Sequence, residues 1–282
     1  MGQEQDSHKT MNDKLDFPDD MPPAIAASTL VLFRDRVGSA PDLLVVERST
    51  KMAFAGGAIV FPGGKTDADD HAIAANPALA RGSGFDVEEA AARVGAIRET
   101  LEESGIAFGF AQNPDADWIS MARAALNARE PFGALIETAG LTLDLDQLIP
   151  FARWRPKHRE ARVFDTRFYI GSVAPDTPDP VVDKTENISS FWASAPALIE
   201  AAAAGKVSVI YPTMRNLERL ALFSDYAAAE AHARAIPVQM ISPFSEMRDG
   251  ELHLCIPEGH GYPVTSEALS RASTAYAKPP LR

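Results

Sequence analysis

The segment Arg98-Glu99-Thr100-Leu101-Glu102-Glu103-Ser104-Gly105-Ile106 decides how the rest of the chain is read. It closes a run in which Val87, Ala91, Val94, Ile97 and Leu101 recur at spacings of three and four, the period of a helix with one apolar face. Gly105 sits where a helix C-cap belongs. On such a helix Glu99, Glu102 and Glu103 project from one face. Like charges so placed repel and raise carboxylate pKa values, whereas a hard divalent cation relieves the repulsion and takes the oxygens as ligands. Arg98 can orient one carboxylate through a charge-assisted pair. Acidic helices are common, and Arg98 with Glu102 also reads as an ordinary pair on a solvated face. The surroundings decide between the two.

Upstream, Ile25 to Arg34 and Leu43 to Val46 read as paired strands, separated by turn residues between Val37 and Asp42. A third apolar run, Ala58 to Phe61, stops at Pro62-Gly63-Gly64, so a strand delivers the chain into a tight glycine turn. Thr66 to Asp86 reads as a loop or small helix ahead of the acidic helix. Downstream, Asp117 to Arg129 and Pro131 to Ala139 read as helices, Val163 to Val173 and Ile188 to Ala193 as strands, and Ser194 to Ala204 as an alanine-rich helix closed by Gly205. Thr213 to Ser224 and Tyr226 to Ala235 are further helices, and Pro237 to Ile241 with Glu251 to Ile256 suggest a late hairpin about Arg248-Asp249-Gly250. Strands interleaved with helices in this way predict an α/β sandwich with a mixed sheet.

Composition bounds the function. A formal net charge of -12 argues against nonspecific nucleic-acid binding, which needs Lys and Arg to neutralise phosphates. A small anion chelated to a metal stays compatible with it, because the ion supplies the local positive charge. The only cysteine is Cys255, so no internal disulfide forms, and a reducing cytoplasm is the expected compartment. No apolar run is long enough to span a bilayer, which takes about 18 to 20 residues, and no membrane partner is expected. Residues 1–22 are polar and acidic and read as a disordered tail, with residues 23–282 as one domain.

With the glycine turn and the acidic helix side by side, the chain resembles the Nudix hydrolase superfamily, whose signature is G-x5-E-x7-R-E-U-x-E-E-x-G-U with U a bulky aliphatic residue. Gly64 matches the opening glycine, and Arg98, Glu99, Glu102, Glu103, Gly105 and Ile106 match the closing half. Thr100 stands where the family usually has an aliphatic residue. Asp70 takes the spacing of the first signature Glu, but residues 71–97 separate it from Arg98, a longer spacer than the signature's; Glu89 is the alternative, one residue out of register. The long spacer, the Val60-Phe61-Pro62-Gly63-Gly64 run, Arg162-Val163-Phe164-Asp165-Thr166-Arg167-Phe168-Tyr169, Tyr211-Pro212-Thr213 and Gly261-Tyr262-Pro263 are similar to the coenzyme A diphosphatases of the Nudix-motif-19 type.

The resemblance implies a Nudix-type α/β/α sandwich with a mixed sheet, insertions at about 66–90 and 112–145, and a C-terminal extension. It implies a hydrolase dependent on magnesium or manganese that cleaves the diphosphate linkage of a nucleoside-diphosphate derivative. Coenzyme A or acyl-CoA is the leading substrate, giving 3',5'-ADP and 4'-phosphopantetheine. ADP-ribose or a dinucleotide is the alternative, and a non-catalytic nucleotide sensor is the reading from another class. Glu99, Glu102, Glu103 and the Gly64 carbonyl would hold the metal, with Arg98 beside them. Glu99 is one candidate for the general base and Glu186 another. Arg155, Arg162 and Arg167, from the densest basic stretch, are the expected readers of the 3'-phosphate, against the alternative of a solvated turn. Trp154 is considered as an adenine stacker, and His71 and His158 as solvated histidines. Phe164, Phe168 and Tyr169 are expected in the core. A small-molecule nucleotide partner follows, and a homodimer is allowed.

Overall fold

The computed structural model describes residues 24–50, 55–156, 163–182 and 187–270. The expected acidic tail therefore lies outside the described residues. The chain runs β1 (Ile25–Arg34), β2 (Asp42–Arg48), β3 (Ala58–Val60), β4 (Gly63–Lys65), α1 (Ala68–Ala74), β5 (Ala80–Arg81), α2 (Val87–Ser104), α3 (Ala116–Asn127) and α4 (Phe132–Thr138). It continues through β6 (Leu143–Asp144), β7 (Ile149–Trp154), β8 (Phe164–Val173), β9 (Asn187–Ser194), α5 (Ala195–Ala203), β10 (Ser208–Val209), α6 (Tyr211–Leu220) and α7 (Tyr226–Ala235). The last elements are β11 (Met240–Ile241), β12 (Phe244–Arg248), β13 (Glu251–Cys255) and β14 (Ser266–Ala268).

A mixed sheet in the order β10-β3-β2-β1-β8-β7-β11 forms the middle layer. β1 is buried along most of its length because it has a neighbour on both sides and helices on both faces. It runs parallel to β8 over its whole span. On the other side its partner changes: Phe33 and Arg34 pair with β2, while Ala27 to Thr29 pair with β4. β2 itself turns away to pair with β3 and β9. The sheet thus forks between β4 and the β3-β2-β9 group.

One apolar layer, built on Leu30, Leu32, Leu44, Ile97, Leu101, Phe110 and Phe132, joins α1 to α4 to one face. The other, built on Val31, Phe33, Val45, Trp154, Leu217 and Ile241, joins α5 to α7 to the opposite face. The alternation Leu30/Leu32 against Val31/Phe33 within β1 is what divides them. The expected α/β/α sandwich with a mixed sheet is therefore present, as is a helical segment between α2 and β7. No helix among the described residues is long and apolar enough to cross a membrane.

Several elements differ from the sequence reading. Gly63–Lys65 does not end the strand region; it pairs antiparallel with β1 as β4. Pro62 breaks the strand only locally, and its carbonyl accepts from the Leu30 amide at 3.0 Å. Thr66 to Asp86 contains α1, capped by a reciprocal Asp67/Asp70 box, and β5, which pairs with β6. Ile149–Trp154, at the start of what reads as a basic turn, is a strand in the sheet. The late hairpin has Phe244–Arg248 as its first arm, because Met240 and Ile241 pair with β7 instead.

Candidate active site

α2 is fixed at both ends by its own sequence. Asp86 accepts from the Glu89 amide at 2.7 Å as N-cap, and Gly105 closes the helix in the left-handed region at φ 71. Its C-terminal turns lie over the fork of the sheet, beside β4. The backbone there is close: a Cβ on Gly64 would stand 2.2 Å from Glu99 Oε1.

Arg98 organises the near side of the site. Its Nε and Nη2 form a fork on the two oxygens of Asp70, both at 2.9 Å. Its Nη1 donates to Glu99 Oε1 at 2.9 Å, and its Nη2 also reaches the Lys65 carbonyl at 3.0 Å. Glu102 Oε2 lies 3.7 Å from Nη1. Asp70 is fully buried, and burial raises its pKa against the pull of Arg98. Gly95 admits it: a Cβ there would stand 3.0 Å from Asp70 Oδ2 and 3.2 Å from Ser28 Oγ. Of the two carboxylates left open by the sequence, Asp70 is the one that meets Arg98. Glu89 instead pairs with Arg93 at 2.9 Å and Arg167 at 3.2 Å, away from Arg98.

Glu103 lies deeper. It is 4% exposed, and the Gly63 amide donates to its Oε2 at 3.1 Å. The Asn187 side chain, at the start of β9, also hydrogen-bonds it, and the Arg48 charge acts on it from β2. Burial first, and then the neighbouring Glu99 charge, push the Glu103 carboxyl up to about 8. The sequence places Gly63 in the glycine turn without a role toward Glu103 and gives no signal for Asn187 or Arg48. Asn187 follows the flagged Glu186 directly, but an Asn at a strand start carries no chemical signal of its own.

Among the described residues no group of three or more His, Cys, Asp or Glu side chains is already arranged to hold a metal ion. Glu99 is turned to Arg98, and Glu103 to the Gly63 amide and Asn187. The donor chemistry nevertheless fits a hard divalent cation. A buried carboxylate raised by a second carboxylate is the electrostatic situation such an ion relieves, and the bare backbone of Gly64 leaves room against Glu99.

The other expected residues are distributed differently. Arg167 pairs with Glu89 at 3.2 Å. Arg153 forks onto Asp165 at 2.8 and 2.7 Å. Arg155 is half-buried beside Ile241 and Ser242. Arg162, Glu186 and His158 lie outside the described residues. Trp154 is 2% exposed and donates to the Tyr262 hydroxyl at 2.9 Å, so it is a core residue and no base-stacking surface. Phe168 and Tyr169 are buried as expected, whereas Phe164 is half-buried, and His71 hydrogen-bonds within α1 and toward Glu88.

No protein-family profile matches the chain. Over 228 residues it is 26% identical to the Caenorhabditis elegans protein described as "Putative nudix hydrolase 7", covering 78% of this chain and 69% of that one. Among solved structures, a NUDIX hydrolase from Alicyclobacillus acidocaldarius superposes with a TM-score of 0.67 at 27% identity, covering 75% of this chain and 97% of that one. The NUDIX domain of Shewanella oneidensis NrtR, solved with ADP-ribose, reaches a TM-score of 0.39 at 12% identity over 72% of this chain and 90% of that one, too distant to bear on the site.

Proposed function

We propose that this chain, a member of the Nudix hydrolase superfamily, cleaves the diphosphate linkage of coenzyme A or an acyl-CoA at the end of α2. The observation that carries the reading is the pairing of Glu99 and Glu103 across the Gly63-Gly64 backbone, with Arg98 committed to Asp70 beneath them. Magnesium or manganese, held by Glu99, Glu102, Glu103 and the Gly64 carbonyl, would neutralise diphosphate charge and lower the pKa of the attacking water. The chain's own residues do the positioning. The Gly63 amide and Asn187 hold Glu103 in one place. Arg98 holds Glu99 against Gly64, where its carboxylate can accept the proton of the attacking water. Arg48, on the neighbouring strand, adds a positive charge near Glu103.

Coenzyme A rests on the motif resemblance, and its 3'-phosphate is assigned to Arg155 and Arg162. Arg167, which also pairs with Glu89, is the third candidate for that contact. The test is hydrolysis of a nucleotide panel with magnesium, with products identified by mass. Release of 3',5'-ADP and 4'-phosphopantetheine is expected, with activity lost on chelation. Preferred cleavage of ADP-ribose or a dinucleotide would replace the substrate, and silence across the panel would favour a sensor. Arg155→Ala should raise KM for coenzyme A while leaving dephospho-coenzyme A nearly unchanged. Equal losses for both would assign Arg155 to the diphosphate or to the fold.

A further inference from the structure

α2 ends in an electrostatically awkward way. Its last turn carries Glu102 and Glu103 and no basic residue, although a helix C-terminus carries partial negative charge and favours cations there. The missing cation comes from another helix. Arg123 of α3 donates from Nε to the Glu102 carbonyl at 2.9 Å and from Nη2 to the Glu103 carbonyl at 3.3 Å. Its Nη2 also bonds the Val181 carbonyl. The Val181 amide in turn donates to the Ser104 carbonyl at 2.8 Å. A Cβ on Gly105 would reach only van der Waals contact with Arg123 Cδ, at 3.5 Å, so the glycine is required by its φ of 71 and not by the guanidinium.

One guanidinium therefore joins three segments: the end of α2, the helical insertion, and the stretch that precedes β9. That last stretch leads to Asn187, which bonds Glu103. Arg123 holds the backbone of the two glutamates together with the Val181 carbonyl. A fork of donors on several carbonyls at once is what Arg supplies and Lys does not.

We infer that Arg123 is a positioning residue, through which the α3 insertion sets the geometry of Glu102 and Glu103 and hence the metal affinity of the site. This rests on the metal-cluster reading above. Groups that orient metal ligands without touching the ion typically cost about 10- to 100-fold in affinity or activity when removed.

The experiment measures Mn2+ binding to the full chain without substrate, by electron paramagnetic resonance, together with kcat and KM under magnesium. It compares wild type, Arg123→Ala, Arg123→Lys and Glu103→Gln. Arg123→Ala should bind Mn2+ about 10- to 100-fold more weakly and lose kcat to a similar degree with KM little changed. Arg123→Lys should fall between it and wild type, and millimolar methylguanidinium should restore part of the Arg123→Ala loss. Wild-type Mn2+ affinity and kcat in Arg123→Ala, whatever its melting temperature, would overturn the inference by leaving Arg123 a purely structural cap. Should Arg123→Ala fail to fold, the same readout on Arg123→Lys decides, with wild-type Mn2+ affinity as the overturning result. Equal Mn2+ binding by wild type and Glu103→Gln is a different failure: it removes the metal cluster itself and the inference with it.

Discussion

A Cβ built on Gly63 would stand 2.4 Å from the Ser28 carbonyl oxygen and 2.8 Å from Thr29 Cα, both backbone atoms of the central strand. The three atoms nearest to one on Gly64 all belong to the Glu99 carboxylate. The two neighbours therefore fail differently. Gly63→Ala must push β4 off β1 and should destabilise the fold by about 1–3 kcal/mol, the range for overpacking, read as a lower urea midpoint. Gly64→Ala should melt close to wild type and lose most of its turnover, since what gives way is a functional side chain; wild-type turnover would remove Gly64 from the site. Glu103→Gln keeps shape and removes charge, and the expected loss is about a hundredfold or more. Near-normal turnover in that variant would end the assignment of Glu103 to the metal.

At the scale of elements, the segment between β4 and α2 is more than a spacer. α1 presents Asp70 to Arg98 and buries Ile73, and β5 pairs with β6, with the Leu143 amide donating to the Leu79 carbonyl at 2.7 Å. The sequence taken alone makes trimming of Ala75 to Gly82 harmless, as in a surface loop. The structure reverses that expectation. Deleting these residues removes buried Ala80 and the β5 pairing, so denaturant unfolding should begin earlier and lose cooperativity, and activity should fall because α1 no longer holds Asp70. An unchanged unfolding curve would return the segment to the status of a loop.

At the scale of the whole molecule, α6 is joined to the small β12-β13-β14 sheet by Arg215, which is 2% exposed and bonds Glu218 at 2.9 Å and Glu267 at 3.1 Å. Burial pushes the Glu218 carboxyl up to about 7 from an ordinary 4.5, over the pull of Arg215. A raised acid pKa means the folded state keeps a proton that the unfolded state releases. Its contribution to stability is present at low pH, declines as pH rises from 4.5 to about 7, and is constant above. Glu218→Gln cannot titrate, so its melting temperature should fall less between pH 5 and pH 8 than that of wild type. Parallel curves for the two proteins would show that Glu218 is already ionised in the fold.

The sequence by itself determined the parts whose evidence is local. The three-and-four spacing of α2, its Gly105 cap and the shared face of Glu99, Glu102 and Glu103 follow from helical period alone. So does the division of β1 between two apolar layers, which strand alternation imposes. What it could not determine depends on partners distant in the chain. Asp70 and Glu89 are both acids before Arg98, and only packing against Gly95 and Ser28 selects the first. Arg167 reads as part of a basic run until the sheet sets it beside Glu89, and Trp154 as a candidate platform until Tyr262 covers it. Gly63, Asn187 and Arg123 act on the glutamates through a backbone amide, a side-chain amide and a guanidinium on carbonyls. Gly63 is marked only as part of a glycine turn, and Asn187 and Arg123 leave no mark in composition or spacing, because which groups meet depends on where the chain returns.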